Sequence, residues 1–265
     1  MDFLENIPQP LFKYRIWNDE YQKRLLTHNE VYLASADQFN DPFDASIPYR
    51  FKDEELTPEN IYLKLLETGR RESPDLSEEI LQQQCYKRQY SGVFESGQYW
   101  KEQYDDFKKN LNENFGILSL TSKNNNLLMW SHYAVSHTGF CVGIDKFALF
   151  KTIEGQLGPV IYSNQFPKIG IFDKSEEGLN RILTTKSVEW QYEEEFRISK
   201  IYSAKKVYNL PNEAILEIIL GNKMTEENKQ EIIGIANQKF PSAKLFQSQI
   251  NLEEFKLEMI PIIRI

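Results

Sequence analysis

The chain has 265 residues, 41% hydrophobic and 26% charged, with a formal net charge of -8. That is enough apolar chain for one packed domain, and the acidic balance argues against a bulk nucleic-acid-binding surface, which needs clustered Lys and Arg. Two cysteines, Cys85 and Cys141, form neither a disulfide framework nor a CxxC zinc pattern and fit a reducing, cytoplasmic compartment. The opening MDFLENIPQP has no basic start and no long apolar run, so it does not read as a signal peptide, and no run is long enough for a bilayer span.

In chain order, LFKYR at 11–15 reads as a first strand, with Lys13 and Arg15 sharing the face of Leu11 and Phe12 and Tyr14 on the other. Asp19 is expected to cap a helix running to about Leu26. VYLA at 31–34 reads as a second strand with Ser35 at its end. In FNDPFD, Asn40, Asp41 and Pro42 have turn chemistry, and the flanking Phe39 and Phe43 are expected to pin the turn to the core. Residues 53–113 change character: Thr57-Pro58 is a helix start, and helical patterns follow near 59–68, 76–90 and 99–112. We read this block as a helical insertion or lid, and as a surface for a protein partner.

GILSL at 116–120 returns to strand, and the Asn residues of 121–126 can cap a helix at 127–134. Residues 140–144 form a strand whose Gly143 leaves room for close approach to the backbone. A short strand at 159–162, a helix at 176–185 and a strand at 193–201 follow. The last part reads as a β-α-β unit: a strand at 214–220 closed by Gly221, a helix capped by Thr225, a strand at 244–249, then a final strand at 255–263. The expected fold is α+β, one domain over 1–265. It has a mixed, largely antiparallel central sheet, a helical insertion at 53–113 and a C-terminal β-α-β subregion at 207–265.

Candidate chemistry concentrates in two stretches. NNNLLMWSHYAVSHTGFCVGID, 124–145, carries two of the three histidines, with Trp130 and Tyr133 beside His132. His132 can act as acid, base or ligand. Its five-residue spacing to His137 is wrong for a helical zinc motif, so metal is not expected. The second stretch, YEEEFR, places Glu193, Glu195 and Arg197 on one strand face, where paired carboxylates can divide acid–base work and Arg197 can grip a carboxylate with two bonds. The competing reading is a solvated face of alternating charge. For Trp130 and Tyr133 it is a place in the core.

Lys13–Arg15 leading to FNDPFD, then LMWSHYA…HTGFCVGID, then K…W-Q-YEEEFR together resemble the bacterial domain of unknown function 2971 family, a name that implies no activity. A second resemblance is to ADP-ribosyltransferases. These bind NAD between a first strand bearing Arg or His, a second strand ending in Ser or an aromatic, and a later strand bearing Glu, often in ExE. The counterparts here are Arg15, Ser35 and Glu193-x-Glu195. The resemblance implies that Arg15 contacts NAD, that Ser35 supports the site, and that the Glu bonds the nicotinamide ribose. It also implies an α+β toxin or phage-defence effector using NAD as substrate. In that reading Glu195 or Glu193 is catalytic, with His132, and Asn40, Asp41, Trp130, Tyr133 and Arg197 complete the pocket.

Two other readings stay open. One is a metal-dependent nuclease or phosphohydrolase built on Asp41, Asp44, Glu193, Glu195 and Lys186. The other is a non-enzymatic sensor recognising a ligand or partner through Trp130, His132 and Arg197.

Overall fold

The computed structural model describes residues 2–48, 50–92, 94 and 96–264. In chain order the elements are α1 (Asp2–Glu5), β1 (Leu11–Arg15), α2 (Arg24–Thr27), β2 (Glu30–Leu33), α3 (Pro58–Glu72), α4 (Glu78–Tyr90), α5 (Gly97–Asn114), β3 (Phe115–Thr121) and α6 (Leu127–Tyr133). Then come β4 (Phe140–Ile144), α7 (Lys146–Ile153), β5 (Gln156–Pro159), β6 (Ile161–Ser163), α8 (Ser175–Thr184) and β7 (Thr185–Ser187). The chain closes with β8 (Glu195–Ile201), β9 (Lys206–Asn209), β10 (Ile215–Leu220), α9 (Glu226–Lys239), β11 (Lys244–Ile250) and β12 (Leu257–Pro261).

Eight strands form the main sheet in the order β12-β11-β10-β4-β1-β3-β8-β5. β10 and β11 are parallel, joined through α9, and the remaining neighbours are antiparallel. This is the expected α+β fold with its mixed, mostly antiparallel sheet and terminal β-α-β unit. β4 is buried at every position, as a central strand covered on both faces must be. Leu11, Phe140, Val142 and Ile218 on one face pack with Leu149 of α7 and Ile232 of α9. On the other, Phe12, Tyr14, Cys141 and Ile219 meet Met129 and Trp130 of α6. The helical block has its own apolar cluster, in which Leu65, Leu66, Leu81, Cys85 and Trp100 surround Phe51.

The sheet opens beside β1. β1 pairs with β4 over five residues but with β3 only at Phe12↔Thr121. Farther along, the same edge of β3 is taken up by Ala34, just past β2, at Ile117. Between these points the carbonyl of Ser119 has no ladder partner on β1, and it accepts from Lys13 Nζ at 2.5 Å. A cavity occupies the opening.

Several local expectations are corrected. The Asp19 carboxylate accepts from the backbone of Tyr21 and Gln22 in a turn, and only Arg24–Thr27 is helical. The strand expected at 159–162 is two strands, β5 and β6, in different sheets. β8 begins at Glu195, because Glu193 ends a 3-10 segment and Glu194 is left-handed, with φ 43°. Phe39 packs into the core beside α5, whereas Phe43 is exposed. The polar connector at 91–98 includes Val93 and Glu95, which lie outside the described residues. The caps Thr57, Asn126 and Thr225 are present, each side chain accepting from backbone N–H groups of the first turn. A Cβ at Gly143 would press on the Phe12 ring at 2.9 Å, the close approach its glycine allows.

Candidate functional site

The cavity in the open sheet encloses about 820 Å³. Lys13 and Arg15 of β1 line one wall, and Ile117–Leu120 of β3 line the facing one. Asn40 and Gln38 contribute from the chain after β2, and Met129, His132 and Tyr133 from α6. Asp44, Lys186, Glu193 and Glu195 also line it, as do Asp19, Arg24 and Glu30 on the side of Arg15.

These last residues belong to a buried ion cluster. Lys186 Nζ lies 2.5 Å from Glu193, 2.9 Å from Glu195 and 3.3 Å from Asp44. Arg197 grips Glu195 with two bonds, Nε at 2.7 Å and Nη2 at 3.0 Å. Its Nη2 also reaches the Asp44 carboxylate at 2.7 Å, and its Nη1 donates to Leu183 O. Tyr133 donates its hydroxyl to Glu193 at 2.6 Å, and the Glu195 N–H donates to Tyr162 Oη at 2.9 Å. Asp44, Lys186, Glu193, Glu195 and Arg197 are each less than 7% exposed. The solvated-face reading of YEEEFR is therefore overturned. So buried a set of charges survives only when every member is paired.

The two glutamates differ electrostatically. Burial pushes Glu193 above the usual carboxylate range, and Lys186 and Tyr133 only partly reverse it. Burial works on Glu195 too, but Arg197 and then Lys186 outweigh it and hold its carboxyl well below that range. Lys186 is desolvated, yet Glu195, Asp44 and Glu193 together raise its pKa. Two carboxyls side by side with opposed shifts are a pair in which one stays anionic and the other can exchange a proton.

The same cavity is lined by two cations of β1 that form no ion pair among the described residues. Arg15 makes only a long bond, 3.4 Å, to the carbonyl of Tyr14, and Lys13 bonds Ser119 O. Neither takes part in an ion pair among the described residues. Burial, then the charge of Arg15, holds Lys13 well below its ordinary value. Burial brings Arg15 down to about 10, against a partial offset from Asp19. Arg24, also in the lining, is by contrast held by two bonds to Glu30 at 2.5 and 2.6 Å.

Of the residues singled out from sequence, Arg15, Asn40, His132, Tyr133, Glu193 and Glu195 meet at this cavity. Four do not line it. Trp130 is fully buried, its Nε1 donating to Asn124 O at 2.8 Å and its ring edge-on to Tyr14. Arg197 sits behind the glutamates. Ser35 is buried and donates its N–H to Gln38 Oε1 at 3.2 Å, so it supports a lining residue and does not reach the cavity. Asp41 accepts from Phe43 N in a turn and faces a different, smaller cavity. His137 stacks on Trp130, away from the site. Among the described residues of 53–113, none lines the cavity. Lys13 was passed over as a site residue, although the period-two pattern already put it beside Arg15.

Fold and site thus define an α+β protein whose sheet is split over a cavity lined by Lys13 and Arg15, which form no ion pair among the described residues, and by the ion-paired Asp44, Lys186, Glu193 and Glu195. A family model described as protein of unknown function, DUF2971, matches residues 129–198, bearing out that resemblance over this segment. The segment runs from α6 to β8 and carries His132, Tyr133, Lys186, Glu193, Glu195 and Arg197. No curated protein and no solved structure matches the chain.

Proposed function

We propose that the chain is an ADP-ribosyltransferase-like enzyme that uses NAD as its substrate. The observation that carries this reading is the polarity of the cavity. Unpaired Lys13 and Arg15 suit a pyrophosphate. The carboxylates opposite suit the cationic nicotinamide ribosyl end of the same molecule. The volume lies within the range of about 300–1,000 Å³ usual for small-molecule sites.

In this reaction the bond from the ribose C1′ to the nicotinamide nitrogen breaks. The nitrogen keeps the electron pair and leaves as a neutral base. Positive charge develops at the ribose, where the Glu195 carboxylate, kept anionic by Arg197, supplies preorganised stabilisation. Glu193, with its raised pKa, takes the proton of the hydroxyl or amine that attacks C1′. Tyr133 and Lys186 orient Glu193, and Asn40 and His132 border the reacting end.

A cytoplasmic role as a toxin or phage-defence effector is part of the same proposal and rests on the kind of family this reading resembles, not on any residue of the chain. The helical block, with Tyr86 and Tyr90 exposed on α4, is the surface we assign to a protein partner. Among the described residues no helix is long and apolar enough to cross a membrane. The test is incubation with labelled NAD, following nicotinamide release and label transfer, for the wild type, Glu193→Gln and Glu195→Gln. The wild type should turn NAD over, and each variant should lose at least about a hundredfold, in line with removing one electrostatic or acid–base group. A wild type that neither cleaves NAD nor labels any target overturns the reading.

A further inference from the structure

Two lysines line the main cavity, Lys13 of β1 and Lys186. Their surroundings are opposite. Lys186 contacts three carboxylates, Glu193, Glu195 and Asp44, which lock it as an ammonium. Lys13 is half-buried, forms no ion pair among the described residues, and donates to the carbonyl of Ser119 at 2.5 Å. We propose that Lys13 is a nucleophilic amine that condenses with an anionic aldehyde, whose charge Arg15 holds.

Three observations converge on this use. The first is the amine itself. The Ser119 carbonyl takes one N–H, so a neutral Lys13 keeps its electron pair for a molecule in the cavity. The carboxylates that would otherwise hold it as an ammonium are already paired with Lys186 and Arg197. The second is its neighbour. Arg15 lies two residues along the same strand face, about 6–7 Å away, and keeps only a long bond to Tyr14 O. Its guanidinium is placed to grip a carboxylate or phosphate with two bonds. A lysine out of water beside a second cation is a setting that activates an amine toward carbonyls. Burial, then Arg15, lower the pKa of Lys13, and the charges of Glu195 and Glu193 offset this only in part. The third is the product. The electron pair of Nζ attacks the carbonyl carbon, and the carbonyl oxygen leaves as water with both N–H protons of the amine. The imine nitrogen then takes one proton from solvent. Its N–H can replace the lost donor to Ser119 O, which has no ladder partner on β1, so the adduct leaves no buried carbonyl unsatisfied.

The inference goes beyond the NAD reading and needs no NAD. The experiment incubates the full chain with 4-formylbenzoate or its neutral methyl ester and traps imines with cyanoborohydride. Peptide mapping by mass spectrometry then gives the rate at each lysine, relative to that of free Nα-acetyllysine with the same aldehyde. With 4-formylbenzoate, Lys13 should react at least about tenfold faster than exposed lysines such as Lys151 and Lys206. It should also prefer the acid to the ester by about ten- to a hundredfold, the worth of a charged hydrogen bond. Arg15→Met should bring acid and ester to within about twofold of each other at Lys13. The acid–ester ratio of the wild type keeps the test decisive if that variant fails to fold. A third probe, 4-formylphenyl phosphate, separates the sources: a relative rate above that of the acid assigns a phosphate-bearing aldehyde, and one at or below it assigns a carboxylate-bearing one. Labelling of Lys13 no faster than that of exposed lysines, equal relative rates for acid and ester, or a preference that survives Arg15→Met overturns the proposal. With no NAD in the assay, failure here is distinct from failure of NAD turnover.

Discussion

Replacing Lys186 with Met keeps the length of the side chain and removes the charge at the centre of the ion cluster. In the native protein Lys186 Nζ holds Glu193, Glu195 and Asp44 within 3.3 Å. Without it, Arg197 still pairs with Glu195 and Asp44, but Glu193 keeps no cation and only the Tyr133 hydroxyl. Breaking a buried pair by deleting one partner costs about 3–5 kcal/mol, a large part of the ~5–15 kcal/mol that stabilises a typical domain. With a urea dependence of about 3 kcal/mol per M, the upper end for single domains, the midpoint falls by roughly 1–2 M. The sign of the pH dependence follows from Glu193. Burial already raises its pKa in the native state, and loss of Lys186 raises it further. A carboxyl with a raised folded pKa binds more protons folded than unfolded, so stability grows as pH falls through that value. The deficit of Lys186→Met should therefore be largest at alkaline pH and shrink on acidification toward the ordinary carboxyl range. Urea melts of both proteins at several pH values read this directly. A variant as stable as wild type, or a deficit that stays constant or grows toward acid, would refute the reasoning.

Tyr133→Phe removes the 2.6 Å bond to Glu193, which favours the anion; the acid limb of the NAD pH–rate profile should move to higher pH, whereas a purely structural defect would lower the whole profile evenly. Lys13→Met and Arg15→Met should each weaken binding of inorganic pyrophosphate about ten- to a hundredfold by calorimetry, the value of a charged hydrogen bond. Trp130→Ala should cost about 3–5 kcal/mol in chemical denaturation, as for a fully buried aromatic. Val135→Gly should stabilise by up to about 1 kcal/mol, since Val135 is a half-exposed β-branched residue at φ 44°.

The fold was largely legible because its cues are local. Period-two runs marked β1, β3, β4 and β10, and the caps Thr57, Asn126 and Thr225 marked helix starts within a residue or two. What escaped was non-local. β9 is short and lies largely exposed, and only its pairing with β2 makes it a strand. Asp19 looked like a cap, but its carboxylate serves the turn before the helix. For the site, strand alternation rightly put Arg15 at one wall and Glu195 and Arg197 on one face. It could not tell that Arg197 would be spent behind Glu195, nor that Trp130 would point into the core while His132, two residues on, faced the cavity. Both depend on which side of α6 and β8 the rest of the chain covers.

The cluster also explains two backbone conformations that its sequence would not invite. Ala45, directly after Asp44, and Glu194, between the two glutamates, are left-handed at φ 49° and 43° with no glycine to ease them. Each costs about 1–2 kcal/mol relative to a relaxed residue. An extended Glu194 would carry the β8 ladder straight through Glu193. The left-handed joint instead swings the chain from its 3-10 segment into the strand, so that Glu193 and Glu195 both reach one ammonium. Ala45 likewise turns the chain away after Asp44 has reached Arg197. Strain of this kind persists only where surrounding contacts over-determine the geometry. The contacts that do so are the ones from Lys186 and Arg197, which makes the two left-handed joints and the ion cluster a single device for converging carboxylates at the end of the split sheet.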